Sequence, residues 1–303
     1  MIIGHQKNLQ FLTCALENEK LAHAYCFSGP DQVGKRTVAK YIAAKALNTE
    51  SEKLGVHADY LYIERAVEEK TGKLKKDIIV SQAKIIGNFL QNRSWLGGKK
   101  IVIIDEAEKI NIEAANALLK TLEESAENSL IILLTENDRN LPATVLSRCQ
   151  QLNFSLVPEA EIAEALIQSG NVPETVKLAA EASWGRPGRA VELLNDKEKM
   201  SEYVSEIDRL EKIIGRPFFE KISATEDLFG DKEDAVRGRD KLKNILDLWT
   251  MLWRGVFSGN TVAGKYFSPG QTLKIIDEIK NARELLTRNI HPRLLIERIL
   301  LII

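Results

Sequence analysis

Four short apolar runs, at residues 25–28, 60–63, 101–104 and 130–134, alternate with stretches of helical periodicity, and no comparable run follows Phe154. This alternation constrains the fold more than any other feature of the chain. Apolar strands separated by helical segments imply a parallel sheet buried on both faces, because the crossover helices cover it. Between the third and fourth runs, a helical stretch over about residues 112–124 places Ala115, Leu118, Leu119 and Leu122 on one face. The first domain is therefore expected to be α/β and to occupy residues 1–156. From Pro158 onward only helical patterns remain. Residues 157–199 read as a small helical lid and 200–303 as a larger all-helical domain. Breaks are expected at Arg216-Pro217 and in the turns Ser258-Gly259-Asn260 and Ser268-Pro269-Gly270. Three domains suit a chain of 303 residues, which is too long for one small core.

The first apolar run leads directly into Gly29-Pro30-Asp31-Gln32-Val33-Gly34-Lys35, and a helical pattern follows it. Strand, glycine-bearing loop and helix form the setting of a phosphate-binding loop. Backbone N–H groups at Gly29, Gly34 and the helix start would cradle phosphate oxygens, and Lys35 would reach the outer phosphates. The same spacing also arises in ordinary tight turns before helices. The motif calls next for a Ser or Thr whose hydroxyl ligates Mg²⁺. Arg36 stands there instead, and Thr37 comes one place late. One residue is about 100° of helical rotation, so Thr37 is expected to face away from the metal. An arginine has no acceptor atom with which to bind a metal. The third apolar run ends in Asp105-Glu106. In a working site Asp105 would hold Mg²⁺ through water and Glu106 would polarise the attacking water. A strand that merely ends in solvated acids is the plainer alternative.

Acids and bases nearly cancel, at 43 Asp+Glu against 42 Lys+Arg. A chain that grips DNA alone usually carries a basic excess, so any work on DNA is expected inside an assembly that supplies the charge. Cys14, Cys26 and Cys149 lack the paired spacing of a structural zinc site and read as reduced thiols. The start, MIIGHQKNLQ, has no basic-then-apolar leader, and no stretch approaches the roughly 20 apolar residues of a membrane span. The expected location is the cytoplasm, with no membrane contact.

The segment KIVIIDEAEKINIEAANALLKTLEE, residues 100–124, resembles one shared by the subunits of bacterial clamp loaders, which are AAA+ proteins. About twenty residues on, Ser147-Arg148-Cys149 is similar to the Ser-Arg-Cys motif of that family. Ile3-Gly4-His5-Gln6, Leu21-Ala22-His23-Ala24 and Asn289-Ile290-His291-Pro292-Arg293-Leu294 fit as well, so the resemblance covers nearly the whole chain. It implies a RecA-like AAA+ domain, a helical lid and a helical collar domain that joins a pentamer.

Within the family, the pattern is similar to the delta-prime subunits rather than to the ATP-hydrolysing motor subunits, gamma and tau. Arg36 replaces the metal-binding hydroxyl. Gly188, within Trp184-Gly185-Arg186-Pro187-Gly188-Arg189-Ala190, stands where the motor keeps a nucleotide-sensing arginine, and Arg189 lies one place on. The sensor position on the fourth strand falls at Glu136 or Thr135, and a carboxylate there would repel a γ-phosphate. The family's four-cysteine zinc module has no counterpart, since no cysteine lies between Cys26 and Cys149, and no zinc is expected. The chain also ends at Ile303, where the motor's long form would continue.

The resemblance implies ATP or ADP bound weakly or not at all at Gly29, Gly34, Lys35, Thr37, Asp105 and Glu106, and a chain that is not itself a competent ATPase. It also implies that Arg148 acts in trans, as an arginine finger on a neighbour's γ-phosphate. The implied partners are the motor and delta subunits, with the sliding clamp and primer-template DNA reached through the complex. Any polymerase activity would belong to the holoenzyme. An ATP-hydrolysing motor subunit and a free-standing DNA-binding AAA+ helicase loader are the alternatives. Trp184 and Trp249 are expected in the core.

Overall fold

The computed structural model describes residues 1–68, 74–95, 98–124, 128–229, 235–257, 267–286 and 290–303. The chain divides into two compact units, Met1–Glu192 and Leu193–Ile303.

In the first unit the four apolar runs become β1 (Ala24–Ser28), β2 (Tyr60–Ile63), β3 (Lys100–Ile104) and β4 (Ser129–Thr135). All are parallel, in the order β2-β3-β4-β1-β5. The fifth strand, β5 (Gln150–Asn153), pairs with β1 at the sheet edge and does not announce itself in the sequence. Gln150, Gln151 and Asn153 are polar and exposed, and Leu152 alone packs against the core. An edge strand covered on few sides needs no apolar run, so periodicity cannot find it.

Alternate residues of the central strands point to opposite faces, and both faces are buried. Tyr25, Phe27, Ile101, Ile103, Ile132 and Leu134 pack on one side with Leu12, Val38 and Ile42, from α1 (Gln6–Glu17) and α2 (Lys35–Ala46). Cys26, Val102, Ile104, Ile131 and Leu133 pack on the other with Ile86, Ala115, Leu118 and Leu122, from α3 (Val80–Gln91) and α4 (Ile112–Glu124). The apolar face expected for residues 112–124 is thus the buried face of α4, with Leu119 half-buried at its margin. The short helix α5 (Ala143–Leu146) joins this second layer through Val145. After β5 the chain forms α6 (Glu159–Gln168), α7 (Pro173–Ser183) and α8 (Pro187–Asn195), and the boundary between the units falls inside α8.

The second unit is helical throughout its described residues: α9 (Lys197–Ile213), α10 (Phe218–Ser223), α11 (Ala235–Phe257), α12 (Pro269–Leu285) and α13 (Pro292–Leu300), with one short 3-10 turn at Glu226–Phe229. Trp249 and Trp253 are fully buried in its core. Trp249 Nε1 donates to the buried Glu206 carboxylate at 2.9 Å, and Arg209 pairs with the same carboxylate. The break at Arg216-Pro217 separates α9 from α10. Ser268-Pro269-Gly270, expected as a turn, instead starts α12. Ser268 Oγ accepts from Gln271 N–H, the Gln271 side chain returns to Ser268 N–H, and Pro269 occupies the first helical position. A capping box with proline at N1 and an interhelical turn share the same residue types, so composition does not separate them. The turn at Ser258-Gly259-Asn260, and Asn289, lie outside the described residues.

Candidate nucleotide cleft and an exposed arginine

The loop between β1 and α2 has the form its glycines predict. Gly29 sits so close to the β5 exit that an ideal Cβ would lie 2.0 Å from Phe154 O. Gly34 caps α2 at φ +111°, a conformation that favours glycine. Lys35 is only 8 % exposed and turns back on its own loop, donating to Gly29 O at 2.6 Å and Pro30 O at 2.7 Å. Burial lowers its pKa, and the nearby carboxylates of Asp31 and Glu136 offset this in part. His5 Nε2 lies 2.9 Å from Val33 O. Gly188 N–H donates to Gln32 O at 2.9 Å, and Gln32 Nε2 donates to Glu192 Oε2 at 2.8 Å. The loop is therefore held from the α1 side and from the α8 side. A cleft of about 680 Å³ opens over it, lined among others by Asp31, Gly34, Lys35, Arg36, Thr37, Asp105, Glu106, Glu108, Thr135, Glu136 and Gly188.

Of the predicted site residues, Gly34, Lys35, Thr37, Asp105 and Glu106 line this cleft, but its two strand-end carboxylates are already engaged. Arg36 Nε donates to Asp105 Oδ2 at 2.9 Å, and its Nη2 contacts the same oxygen. Tyr62 OH donates to that oxygen as well, at 2.6 Å. Burial alone would raise the Asp105 pKa, but the hydrogen bonds from Tyr62 and Arg36 outweigh it and hold the carboxyl below its ordinary value. Glu106 is gripped by both arms of Arg65, Nε to Oε2 and Nη2 to Oε1, each at 2.7 Å. Phosphate loops of this kind use Mg²⁺, held by the hydroxyl after the lysine and by the strand-end aspartate. These residues do not fit that ion. A guanidinium offers it no lone pair, and both aspartate oxygens already accept hydrogen bonds, Oδ2 from Arg36 and Tyr62 and Oδ1 from Glu106 N–H. Thr37 lines the cleft one helical step further on. Thr135 is buried, with Oγ1 donating to Asn137 O at 3.1 Å. Glu136 faces the cleft, its pKa raised by burial and by Asp31 and Glu108.

Arg148 lies apart from the cleft residues, just past α5. Its Nη2 donates to Glu123 Oε1 on α4 at 2.6 Å, and its Nη1 donates to Thr144 O at 2.9 Å. The two charged side chains are 36 % and 53 % exposed. Such a surface pair is worth about 0–1 kcal/mol and leaves the guanidinium free to change partners. Its base is rigid, since Val145, Leu146 and Cys149 pack into the layer under α4. The cysteines are free, and burial pushes the thiols of Cys26 and Cys149 up to about 12 and about 11.

Sequence reading missed Tyr62 and Arg65, the partners of the two strand-end acids. They stand 43 and 41 positions away, and no local motif marks them. The parallel register Ile63↔Ile104 is what sets the end of β2 beside the end of β3. Gln32 and Glu192, which tie the loop to α8, are 160 residues apart and equally silent.

The family model described as "DNA polymerase III, delta subunit" matches residues 4–158, just over half of the chain. A DNA polymerase III subunit delta' of Pseudomonas aeruginosa is 34% identical over 144 residues, covering 43% of this chain and 42% of that protein. A subunit tau of Bacillus subtilis is 32% identical over 170 residues, covering 53% of this chain but 30% of the relative. These matches thus span less than half the length of either relative. Among solved structures, a DNA polymerase III gamma subunit-related protein of Thermotoga maritima superposes with a TM-score of 0.55 at 20% identity. It covers 96% of this chain and 97% of that one, a likeness of fold.

Proposed function

This chain belongs to the family described as DNA polymerase III, delta subunit, and on that premise we propose that it is a delta-prime-like clamp-loader subunit that hydrolyses no ATP and lends Arg148 to a neighbouring ATPase. What carries the reading is the pairing of Arg36 with Asp105, which takes both the metal position and the metal's carboxylate out of use in this chain's own cleft. With hydrolysis unsupported, Arg148 becomes the residue of interest. An exposed planar fork on a rigid base can reach across a subunit border and span two phosphate oxygens, as a lysine cannot. In this reading residues 1–156 form the nucleotide-binding-like domain, 157–199 the lid and 200–303 the collar that joins the complex. The partners are the motor and delta subunits, and clamp and primer-template DNA are met through them. ATP or ADP in the cleft is weak or absent, and zinc has no role.

The likeness to tau-type subunits supports a second reading, a working motor, and turnover by the isolated chain separates the two. The delta-prime reading itself is tested in a loader reconstituted with Arg148→Ala. Assembly should be intact, because an exposed pair contributes little to it. DNA-stimulated ATP hydrolysis should fall in part and clamp loading should fall further, since in-trans arginines supply on the order of 10³–10⁵ in rate at the site they serve. Arg148→Lys should not rescue. Normal clamp loading by the Arg148→Ala complex would reduce Arg148 to a surface residue.

A further inference from the structure

The contacts around Asp105 do more than leave a metal without ligands. They supply a cation of their own. Arg36 leaves the first turn of α2 and directs two nitrogens at Asp105 Oδ2. The same guanidinium lies 5.2 Å from the centre of the Tyr62 ring, whose hydroxyl donates to that oxygen, and 3.7 Å from Glu64 Oε2. One cation therefore joins α2, the end of β2 and the end of β3. The Asp105 side chain is 17 % exposed, and a carboxylate this far from water needs a positive partner. In a hydrolysing site that partner is a divalent ion brought in with the nucleotide. Here it is covalently part of the chain. Glu106 has its own resident cation in Arg65.

We infer that the Arg36 guanidinium is a permanent replacement for the divalent metal at this strand end, so that the cleft neither binds nor responds to such a metal and Asp105 works as a structural anion. The inference deepens the reading of the chain as a subunit without hydrolysis. It adds that the substitution at position 36 builds an interaction as well as removing one. Through Arg36, Asp105 fixes α2 to the sheet. Its loss would leave the Arg36 guanidinium with the more distant Glu64 carboxylate, at 3.7 Å, and the Tyr62 ring.

The test uses the full chain, with Mn²⁺ alone as the probe and no nucleotide. Melting temperature and Mn²⁺ paramagnetic resonance are followed for the wild type, Asp105→Asn, Arg36→Thr, Arg36→Lys and the double variant Arg36→Thr/Asp105→Asn. The wild type and Asp105→Asn should give the same Mn²⁺ response, because Asp105 is not available to the ion. In EDTA, Arg36→Thr should melt lower by about 5–10 °C, the consequence of leaving a poorly hydrated carboxylate unpaired in a chain of this size. Mn²⁺ should restore at least half of that loss, and the double variant should show no restoration. Arg36→Lys keeps the charge and should stay silent to Mn²⁺, so it carries the test even if Arg36→Thr does not fold. An Asp105-dependent Mn²⁺ response in the wild type or in Arg36→Lys overturns the inference. So does an Arg36→Thr chain that melts like the wild type in EDTA, or one that gains nothing from Mn²⁺. Failure here is separable from failure of the functional reading, because ATP turnover by the wild type is a different measurement from its response to metal alone.

Discussion

The surroundings of Gly188, at the start of α8, make a sharp prediction about Gly188→Ala. In an open helix the change would stabilise by up to about 1 kcal/mol, because alanine loses less backbone freedom on folding. Position 188 is not open. An ideal Cβ would lie 2.9 Å from Gln32 O and 3.2 Å from Gln32 Cβ. Gln32 has little room to retreat. Its φ is +59°, its N–H is on Asp31 Oδ1 at 2.7 Å and its amide is on Glu192 at 2.8 Å. The start of α8 must therefore shift, stretching the hydrogen bond from Gly188 N–H to Gln32 O. Overpacking of this kind costs about 1–3 kcal/mol, and a weakened hydrogen bond adds to it. Set against the smaller helix gain, the net expectation is a loss of about 1–2 kcal/mol, or roughly 3–6 °C in melting temperature. Gly87→Ala in the middle of α3 is the control, since its nearest neighbour would be Thr121 Oγ1 at an ordinary 3.5 Å; it should gain about 0.5–1 kcal/mol. Urea denaturation followed by far-ultraviolet circular dichroism reads both. If Gly188→Ala matches or exceeds the wild type while Gly87→Ala gains as expected, close packing of α8 on the loop is not what demands glycine.

The isolated chain should release no phosphate from ATP above background, with or without Mg²⁺; turnover at the rates usual for AAA+ motors would refute the reading built on Arg36. Asp105 should make stability depend on acid in a defined sense. A carboxyl held below its ordinary value contributes stability that is fully present above the unfolded pKa of about 3.9 and is lost as pH falls through the folded value. Asp105→Asn should therefore cost more at pH 7 than at pH 3, and an equal cost at both would remove the carboxylate from the account. In the second unit, Trp249→Phe removes the indole donor from the buried Glu206 carboxylate, for an expected loss of about 1–3 kcal/mol. Unchanged denaturation of that variant would mean the Arg209 pair suffices alone.

Much of this architecture follows from local pattern. Runs such as Ile101-Val102-Ile103-Ile104 can be stable only where both faces are covered, so the parallel sheet and its flanking helices were legible from one dimension. So was the loop, because Gly34 meets a backbone demand that acts within a few residues, although the close approach of Phe154 O that also requires glycine at position 29 is tertiary. Arg36 was visible too, at the place where a phosphate-binding loop calls for a hydroxyl. What tertiary structure decided was the use made of these residues. Only the register of β2 on β3 puts Tyr62 against Asp105 and Arg65 against Glu106. Only the packing of α8 on the loop sets Gly188 against Gln32. Only the neighbouring ends of α4 and α5 give Arg148 its partner Glu123. Backbone preference and apolar periodicity act over a few residues and leave a trace in sequence. A charge finds its partner through space, across 25 to 69 positions of chain in these pairs, and spacing along the chain does not encode that distance.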